Sequence, residues 1–599
     1  MESVSKSSQS FSFRSAECLA VGLLLLTIVL VALPGMRSPI VLDDELQIAH
    51  VAQFSGVWDC FAQPDGFGFF RPFKNLIYYG LQEVAGGSML IWHGVGMGIH
   101  LAAVGALYML VRGMFGSWKY AVLAAAVWAL TPSMTTAAIW LTCSNINLGI
   151  FFVCLFLLVH SRMQSCETGA VAMGIVSGLL LVLTLFSYES LVVAIGLVFF
   201  YDRLVLQAKF SRRQFAAYAA YGVIVLGYLG LRSVVGATYS TGGRGPGFAP
   251  DLTHWQLMVS APWFLMKHLA MWLFPIDRIE FLSSYVWGKS ATSGDLLVAW
   301  LVMIGGIVAT VVSWKRNRLM AIGLLWFGAA MFPVSNFFPL YTAPVADYYL
   351  IIPSIGLAIV FAALARSVWT LRKSEVLNGP KVVAVVLLVA LGGWRAIFVP
   401  LYPQQASLWN DPAALYVQAA QARPYQFLAQ RLAAVELTNR QMPEEALMLA
   451  ADSVRTAPWN GKGHLVAGFA MAQLNMNEEA LASFREARRR NNLSPIQDRA
   501  ALLEIARLHI AAGSFDAGRE ALLPLLEAEQ DHEQRVPAIL LMSKLYREQS
   551  NQEKAIATLE KGLGLYPNEP AILAQMSEFQ TGGSAKGSNE GEVSGEETE

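Results

Sequence analysis

Hydrophobic residues in the first 400 positions fall into blocks separated by short polar connections, a pattern that changes abruptly near residue 425. A bilayer core about 30 Å thick takes roughly 20 apolar residues per helix. On that measure the blocks predict crossings at 17–35, 88–111, 119–133, 146–161, 171–187, 189–202, 214–233, 294–313, 320–336, 346–367 and 381–399. The block at 189–202 is short. A twelfth candidate, 257–275, carries Lys267 and His268 among Trp263, Phe264, Trp272 and Phe274, which suits an interfacial or re-entrant helix rather than a crossing. The first block resembles a signal peptide, but many spans follow and no Ala-x-Ala site ends it, so it reads as a retained helix.

Beyond residue 425 the pattern becomes that of short amphipathic helices. The segments PEEALMLAADSVRTAPW, NEEALASFREARRRNN, FDAGREALLPLLEAEQ and QEKAIATLEKGLGLYPN share one design. Each places a small residue at the same point: Ala446, Ala480, Ala517 and Ala555, at spacings of 34, 37 and 38. Pro458 and Pro567 follow their alanines by twelve residues. That is the tetratricopeptide period, in which small residues let paired helices pack closely. The expected fold is all-α: a polytopic transmembrane domain of eleven spans followed by a soluble tetratricopeptide α-solenoid that binds a protein or peptide. The expected segments are a cytoplasmic N-terminus (1–16), a membrane domain (17–400), a linker (401–424), the repeats (425–570) and an acidic tail (571–599). The tail's Gly, Ser and Glu content is that of a disordered segment.

Charge supplies the orientation. Lys6 and Arg14, Arg112 and Lys119, Arg162, the Arg203–Arg213 group, Lys315–Arg318 and Arg366–Lys381 fall on alternate connections, whereas 132–145, 187–190 and 337–346 carry no Lys or Arg. Basic residues stay on the cytoplasmic side. The loops 36–87 and 234–293 and everything beyond Phe398 are therefore expected outside, which for a bacterial inner membrane is the periplasm. Only 14% of residues are charged, against about 25% in soluble proteins. The formal net charge is zero, and nothing suggests a nucleic-acid partner; membrane lipids are the expected surroundings. Cys18, Cys60, Cys143, Cys154 and Cys166 lack the spacing of a zinc site or a disulfide framework, although Cys60 and Cys143 could meet outside the membrane.

The first outer loop holds the candidate chemistry. Asp43, Asp44 and Glu45 follow directly on the first span. Carboxylates at a membrane boundary can act as a general base toward an acceptor hydroxyl, or hold a divalent metal such as Mg or Mn against a phosphate; Asp43 and Asp44 are the metal candidates. They also fit the plain reading of a solvated helix start. Arg71, in FFRPF, can grip a phosphate through its planar fork or simply snorkel to the interface. His93 and His100 are seven apart on one helix face and suit packing better than ligation.

Several segments resemble, in order, the TMTC-type membrane proteins and their bacterial relatives within the C-type glycosyltransferase (GT-C) superfamily. LDDELQI resembles the acidic first-loop motif, and FFRPFKNL the Tyr-Arg-Pro segment. TPSMTTAAIWLTCSNINLGIFF is similar to HPxHxEAVAWIxGRxDLL, and LTLFSYESLVVAIGLVFFYDRL to LALLSKExAIxLPxLLLLYDLL. PVSNFFPLYTAPVADYYLIIPSIGLAIV is similar to PxSNIxFPxGxxxAERYLYLPSxGFxLL, and SLWNDPAALYVQAAQARP leads into the repeats. The resemblance implies transfer of a sugar, with inversion, from a polyprenyl-phosphate carrier to a protein or glycan acceptor on the outer face. It implies Asp43 or Asp44 as base or metal-linked carboxylate, Arg71 and the retained Glu189 at the donor phosphate, and repeats that present the acceptor. The chain departs from the pattern at Tyr188, which stands in place of Lys, at Asp347-Tyr348 in place of Glu-Arg, and at the absent HPxH histidines. Arg244, Lys267 and His268 are the expected substitutes for the lost cations. Two other readings compete: a non-catalytic membrane scaffold whose repeats recruit an outer-face partner, and a ligase that joins a lipid-linked polysaccharide to its acceptor.

Overall fold

A computed structural model describes residues 15–131, 133–165, 168–237, 253–274, 291–337, 344–371, 379–422, 426–527 and 532–584. Every regular element among them is helical. The chain divides into two compact units, residues 1–429 and 430–599.

Among the described residues of the first unit, seven helices are long and apolar enough to cross a membrane. They are Ser15–Gly35, Met89–Phe115, Leu141–Ser165, Ala170–Ser187, Arg212–Val234, Ser293–Arg316 and Pro353–Thr370. The expectation of eleven is corrected because hydropathy does not register where helices break. The block at 119–133 is a helix of 12 residues, Trp118–Ala129, about 18 Å long. The block at 189–202 is a 3-10 turn, Glu189–Val193, joined to the 11-residue helix Ala194–Leu204. At 320–336 the helix Arg318–Met331 has 14 residues, roughly 21 Å. The last block corresponds to Gly379–Phe398, whose side chains are described only in part. Residues 257–273 of the twelfth candidate belong to one helix, His254–Leu273, outside the seven.

Close backbone approach and buried polar ties fasten these helices. A Cβ on Gly356 would lie 2.3 Å from the Gly323 carbonyl oxygen, so the helices Arg318–Met331 and Pro353–Leu371 meet through glycine, as small-residue membrane interfaces do. Buried Glu17 accepts hydrogen bonds from Tyr108 and Arg112, which ties the first long helix to the second. His160 Nε2 lies 3.0 Å from Asp202 Oδ1, and its Nδ1 lies 2.9 Å from the Tyr221 hydroxyl, which joins three more helices. Cys18, Cys60, Cys143 and Cys154 are free thiols.

Residues 401–422 of the expected linker are held to the rest of the first unit. Tyr402 donates to the Leu130 carbonyl at 3.0 Å, Asn410 Nδ2 to that of Pro34 at 2.7 Å, and Trp409 is fully buried. Tyr416 accepts the Leu42 N–H at 3.3 Å. Leu42 has φ 56°, a costly conformation for a branched side chain, directly before Asp43. The Leu42–Tyr416 bond helps hold that backbone.

The second unit is an array of antiparallel helix pairs with tetratricopeptide-like spacing, and its first helix, Phe427–Asn439, starts just inside the first unit. Pro443, Pro495 and Pro570 occupy first helical positions, where their missing N–H costs nothing. Ala446, Ala480 and Ala555 are fully buried, as the spacing requires. Ala517 is half-buried, and the next residue, Gly518, takes the close-contact position against Ile510 and Ala506. The array continues beyond residue 570. Helix Pro570–Ser584 buries Ile572 and Phe579 against Val536, Ile539 and Leu559, which removes its first part from the expected disordered tail. Residues 585–599 lie outside the described residues.

Candidate functional site

Helix interruptions of the first unit gather around the start of the helix Asp43–Val51. Irregular backbone at membrane depth is tolerated only where protein or a cavity satisfies it. Here Asp44 meets that need for the break before Leu141–Ser165. Its Oδ1 accepts the Thr142 N–H at 3.0 Å and a hydrogen bond from the Tyr78 hydroxyl, which also lies 3.2 Å from Thr142 Oγ1. A second break is held by Asp347, whose Oδ2 accepts from Thr136 Oγ1 at 2.5 Å. Beside it, Trp140 packs edge-on against Tyr348 at 5.4 Å.

The break at Tyr188–Glu189 meets Arg71. Arg71 Nε donates to Glu189 Oε2 at 2.6 Å and Nη2 to Oε1 at 2.5 Å, a bidentate fork with both side chains almost nine-tenths buried. The guanidinium lies 4.3 Å from the Phe69 ring centre and 4.9 Å from that of Tyr188. Tyr188, standing where the resembled family has a cation, is therefore a stacking partner for one. Burial pulls the Arg71 guanidinium down, but Glu189 and Asp65 outweigh it and hold it above its ordinary value.

Two further ions complete the cluster. Lys74, buried to 1% exposure, places Nζ 3.4 Å from Asp65 Oδ2 and 4.7 Å from the Phe67 ring centre. Arg71 Nη1 is 3.6 Å from the same Asp65 oxygen. Asp65 Oδ1 accepts the N–H groups of Phe67 and Phe69 at 3.0 and 2.9 Å. Burial alone would raise the Asp65 carboxyl; Lys74, Arg71 and those N–H groups reverse the sign and hold it below its usual value.

Asp43 is half-buried and faces this cluster. Burial raises its carboxyl and Lys74 opposes, with Asp65 adding to the rise and Arg71 to the opposition; the balance lies above the ordinary value. Asp44 is raised to about 7, chiefly by burial, against the hydrogen bonds of Tyr78 and Thr142. A carboxyl moved from 3.8 to about 7 weakens the native state by roughly 4 kcal/mol once it is charged. The native state binds the extra proton between those values, so this contribution to stability falls as pH rises from about 4 to 7 and is lost above. Asp44→Asn keeps both hydrogen bonds and is expected to remove that dependence. Thermal melts of the full chain near pH 4 should come close to wild type, and at pH 8 the variant should melt higher. A variant that melts lower at pH 8 would contradict a reluctantly charged Asp44.

Of the residues singled out from the sequence, Asp43, Asp44, Arg71 and Glu189 come together. Glu45 points outward and is exposed. Lys267 lies 4.9 Å from the Trp263 ring centre and within electrostatic range of Asp295, away from the cluster's acids. His268 is fully buried, with Nδ1 2.8 Å from the Phe264 carbonyl and Nε2 accepting the Ala346 N–H at 3.4 Å. Burial holds it at about 4, so it is neutral and offers a phosphate no charge. His93 lies 3.0 Å from the Ile139 carbonyl, and His100 Nδ1 lies 3.1 Å from Asn147 Oδ1. Arg244 lies outside the described residues. Among the described residues no group of three His, Cys, Asp or Glu side chains is arranged to hold a metal ion. Asp44 Oδ1 is already engaged and Asp65 is committed to Lys74, so these side chains do not make a ready metal cage.

Lys74, Tyr78 and Asp65 were not singled out from the sequence, and neither was Arg232, which with Glu189 lies in electrostatic range of Tyr228. A signal for two of them existed. Arg71, Lys74 and Tyr78 recur at intervals of three and four, one face of a helix that begins at Pro72.

No family model matches the chain, and no curated protein does. Among solved structures, yeast Tom70 is similar at 11% identity and a TM-score of 0.24, over 81% of this chain and 96% of that one. The Cut9–Hcn1 hetero-tetramer of the APC/C is similar at 12% identity and a TM-score of 0.26, over 89% of this chain and 98% of that one.

Proposed function

We propose that the chain is a membrane glycosyltransferase that takes a sugar from a polyprenyl-phosphate donor and passes it to a protein or glycan acceptor on the outer face. The observation that carries this reading is the convergence of Asp43, Asp65, Arg71, Lys74 and Glu189 from separate segments onto helix breaks in an apolar unit. Buried ions in such surroundings are costly, and they mark functional sites by default. In this reading half-buried Asp43 accepts the acceptor hydroxyl's proton, while Asp44 holds the helix start through Tyr78 and Thr142. Arg71 and Lys74 stabilise the departing phosphate by exchanging part of their bonding to Glu189 and Asp65. The helical repeats present the acceptor polypeptide. The test is transfer of labelled sugar by the purified full chain in vesicles that contain polyprenyl-phosphate hexose. Transfer no greater than that of the Asp43→Asn variant would remove the proposal.

One observation favours a scaffold instead: both clustered cations already have carboxylate partners. For a scaffold, the full chain would retain its outer-face protein partner with Asp43 and Arg71 both replaced, and no glycan would change.

A further inference from the structure

In the last turn of the helix Gly379–Phe398, Arg395 is 6% exposed. Its Nη1 donates to the Trp272 carbonyl at 2.6 Å, and its guanidinium carbon lies 4.3 Å from the centre of the Trp272 ring. Among the described residues its other terminal nitrogen, Nη2, has no hydrogen-bond partner. Trp272 is 4% exposed, and its indole Nε1 has no partner either. Trp394 Nε1, one residue along the same helix, is a third buried donor without an acceptor. Tyr402 is the ionisable neighbour in electrostatic range among the described residues, and no carboxylate joins it there.

A buried guanidinium without a counter-charge is strongly unfavourable, and a buried N–H without an acceptor adds to that cost. This place holds such a cation beside such donors, and its missing element is an anionic oxygen. Arg is suited to it, since its fork matches phosphate geometry and keeps donors free while the ring stacks beneath. The same helix exposes Val382, Val386, Val389 and Ile397, an apolar side fitted to acyl chains.

We propose that Arg395 Nη2 and Trp272 Nε1 form a phosphate-binding site. It stands apart from the Asp43 cluster and does not depend on sugar transfer. Trp272 packs in one cluster with Tyr349, whose neighbour Tyr348 lies in electrostatic range of Asp43.

The test uses the full chain in nanodiscs of phosphatidylcholine alone, with phosphatidic acid added, or with millimolar inorganic phosphate. Thermal melting and lipid retention in native mass spectrometry are the readouts. A phosphate source that binds the folded state raises the melting temperature. Wild type should rise by several degrees with phosphatidic acid. Arg395→Met should melt at or above wild type in phosphatidylcholine alone and show no rise, because it removes a charge that only the ligand compensates. Trp272→Phe keeps the stacking ring and loses one donor, so its affinity should fall about tenfold. A rise with phosphatidic acid alone assigns a lipid headgroup, and an equal rise with inorganic phosphate assigns soluble phosphate. The proposal is overturned if Arg395→Met responds as wild type does, or if neither source shifts the wild type. Should Arg395→Met fail to fold, an unchanged affinity in Trp272→Phe overturns it equally.

Discussion

The Asp43→Asn variant is expected to lose roughly 10²–10⁴-fold in sugar transfer while it melts within a few degrees of wild type. The size follows from the role: a positioned base contributes that much when the proton leaves the nucleophile as the new bond forms. The sparing of stability follows from placement. Asp43 is half-buried and makes no hydrogen bond to another described residue, whereas Asp44 makes two. Measuring initial transfer rates and melting curves on the same preparations separates the two effects. If Asp44→Asn lost transfer as fully as Asp43→Asn while both stayed folded, the division of roles between neighbouring carboxylates would be wrong.

The second large effect is structural. Arg71→Ala leaves Glu189 buried against Tyr188 without a counter-charge, and loss of one partner of such a pair costs about 3–5 kcal/mol. The double replacement Arg71→Met with Glu189→Leu removes both charges and should recover most of that loss. Melting curves of the single and double variants in one detergent decide it. A double variant no more stable than Arg71→Ala would mean that the fork does not carry the energetics of this junction. The partial exposure of the pair places the expected loss toward the lower end of the range.

These residues also show what a linear pattern reveals. The repeat array was legible because Ala446, Ala480 and Ala555 recur where helices touch, and buried contact permits little else. The third repeat slipped by one because Ala517 and Gly518 are both small, and only packing against Ile510 and Ala506 distinguishes them. Span number was overstated where apolar blocks hold short helices: those at 119–133, 189–202 and 320–336 contain helices of 12, 11 and 14 residues, below the roughly 20 a crossing takes. Residues 401–422 carry the polar residues of a connector, yet Tyr402, Trp409 and Tyr416 bind them to the rest of the first unit.

Within the site, Asp43, Asp44 and Arg71 could be read from position and charge, and Glu189 from the family resemblance. Asp65 could not, because its importance lies in a loop turn at Gly68 that brings its carboxylate back to Lys74. The replacement of one cation by Tyr188 looked like a loss. In three dimensions the ring stacks on Arg71, and Lys74 supplies a positive charge nearby.

Labelling with a membrane-impermeant thiol reagent is the most direct measurement. Single cysteines at Glu45 and at Glu578, both exposed, would be placed in an otherwise cysteine-free chain in intact cells or sealed vesicles. The account predicts that both are labelled from the outer face and neither from the cytoplasmic one, since the acidic site and the acceptor-presenting repeats must share a compartment. Labelling of the two positions from opposite faces would contradict it.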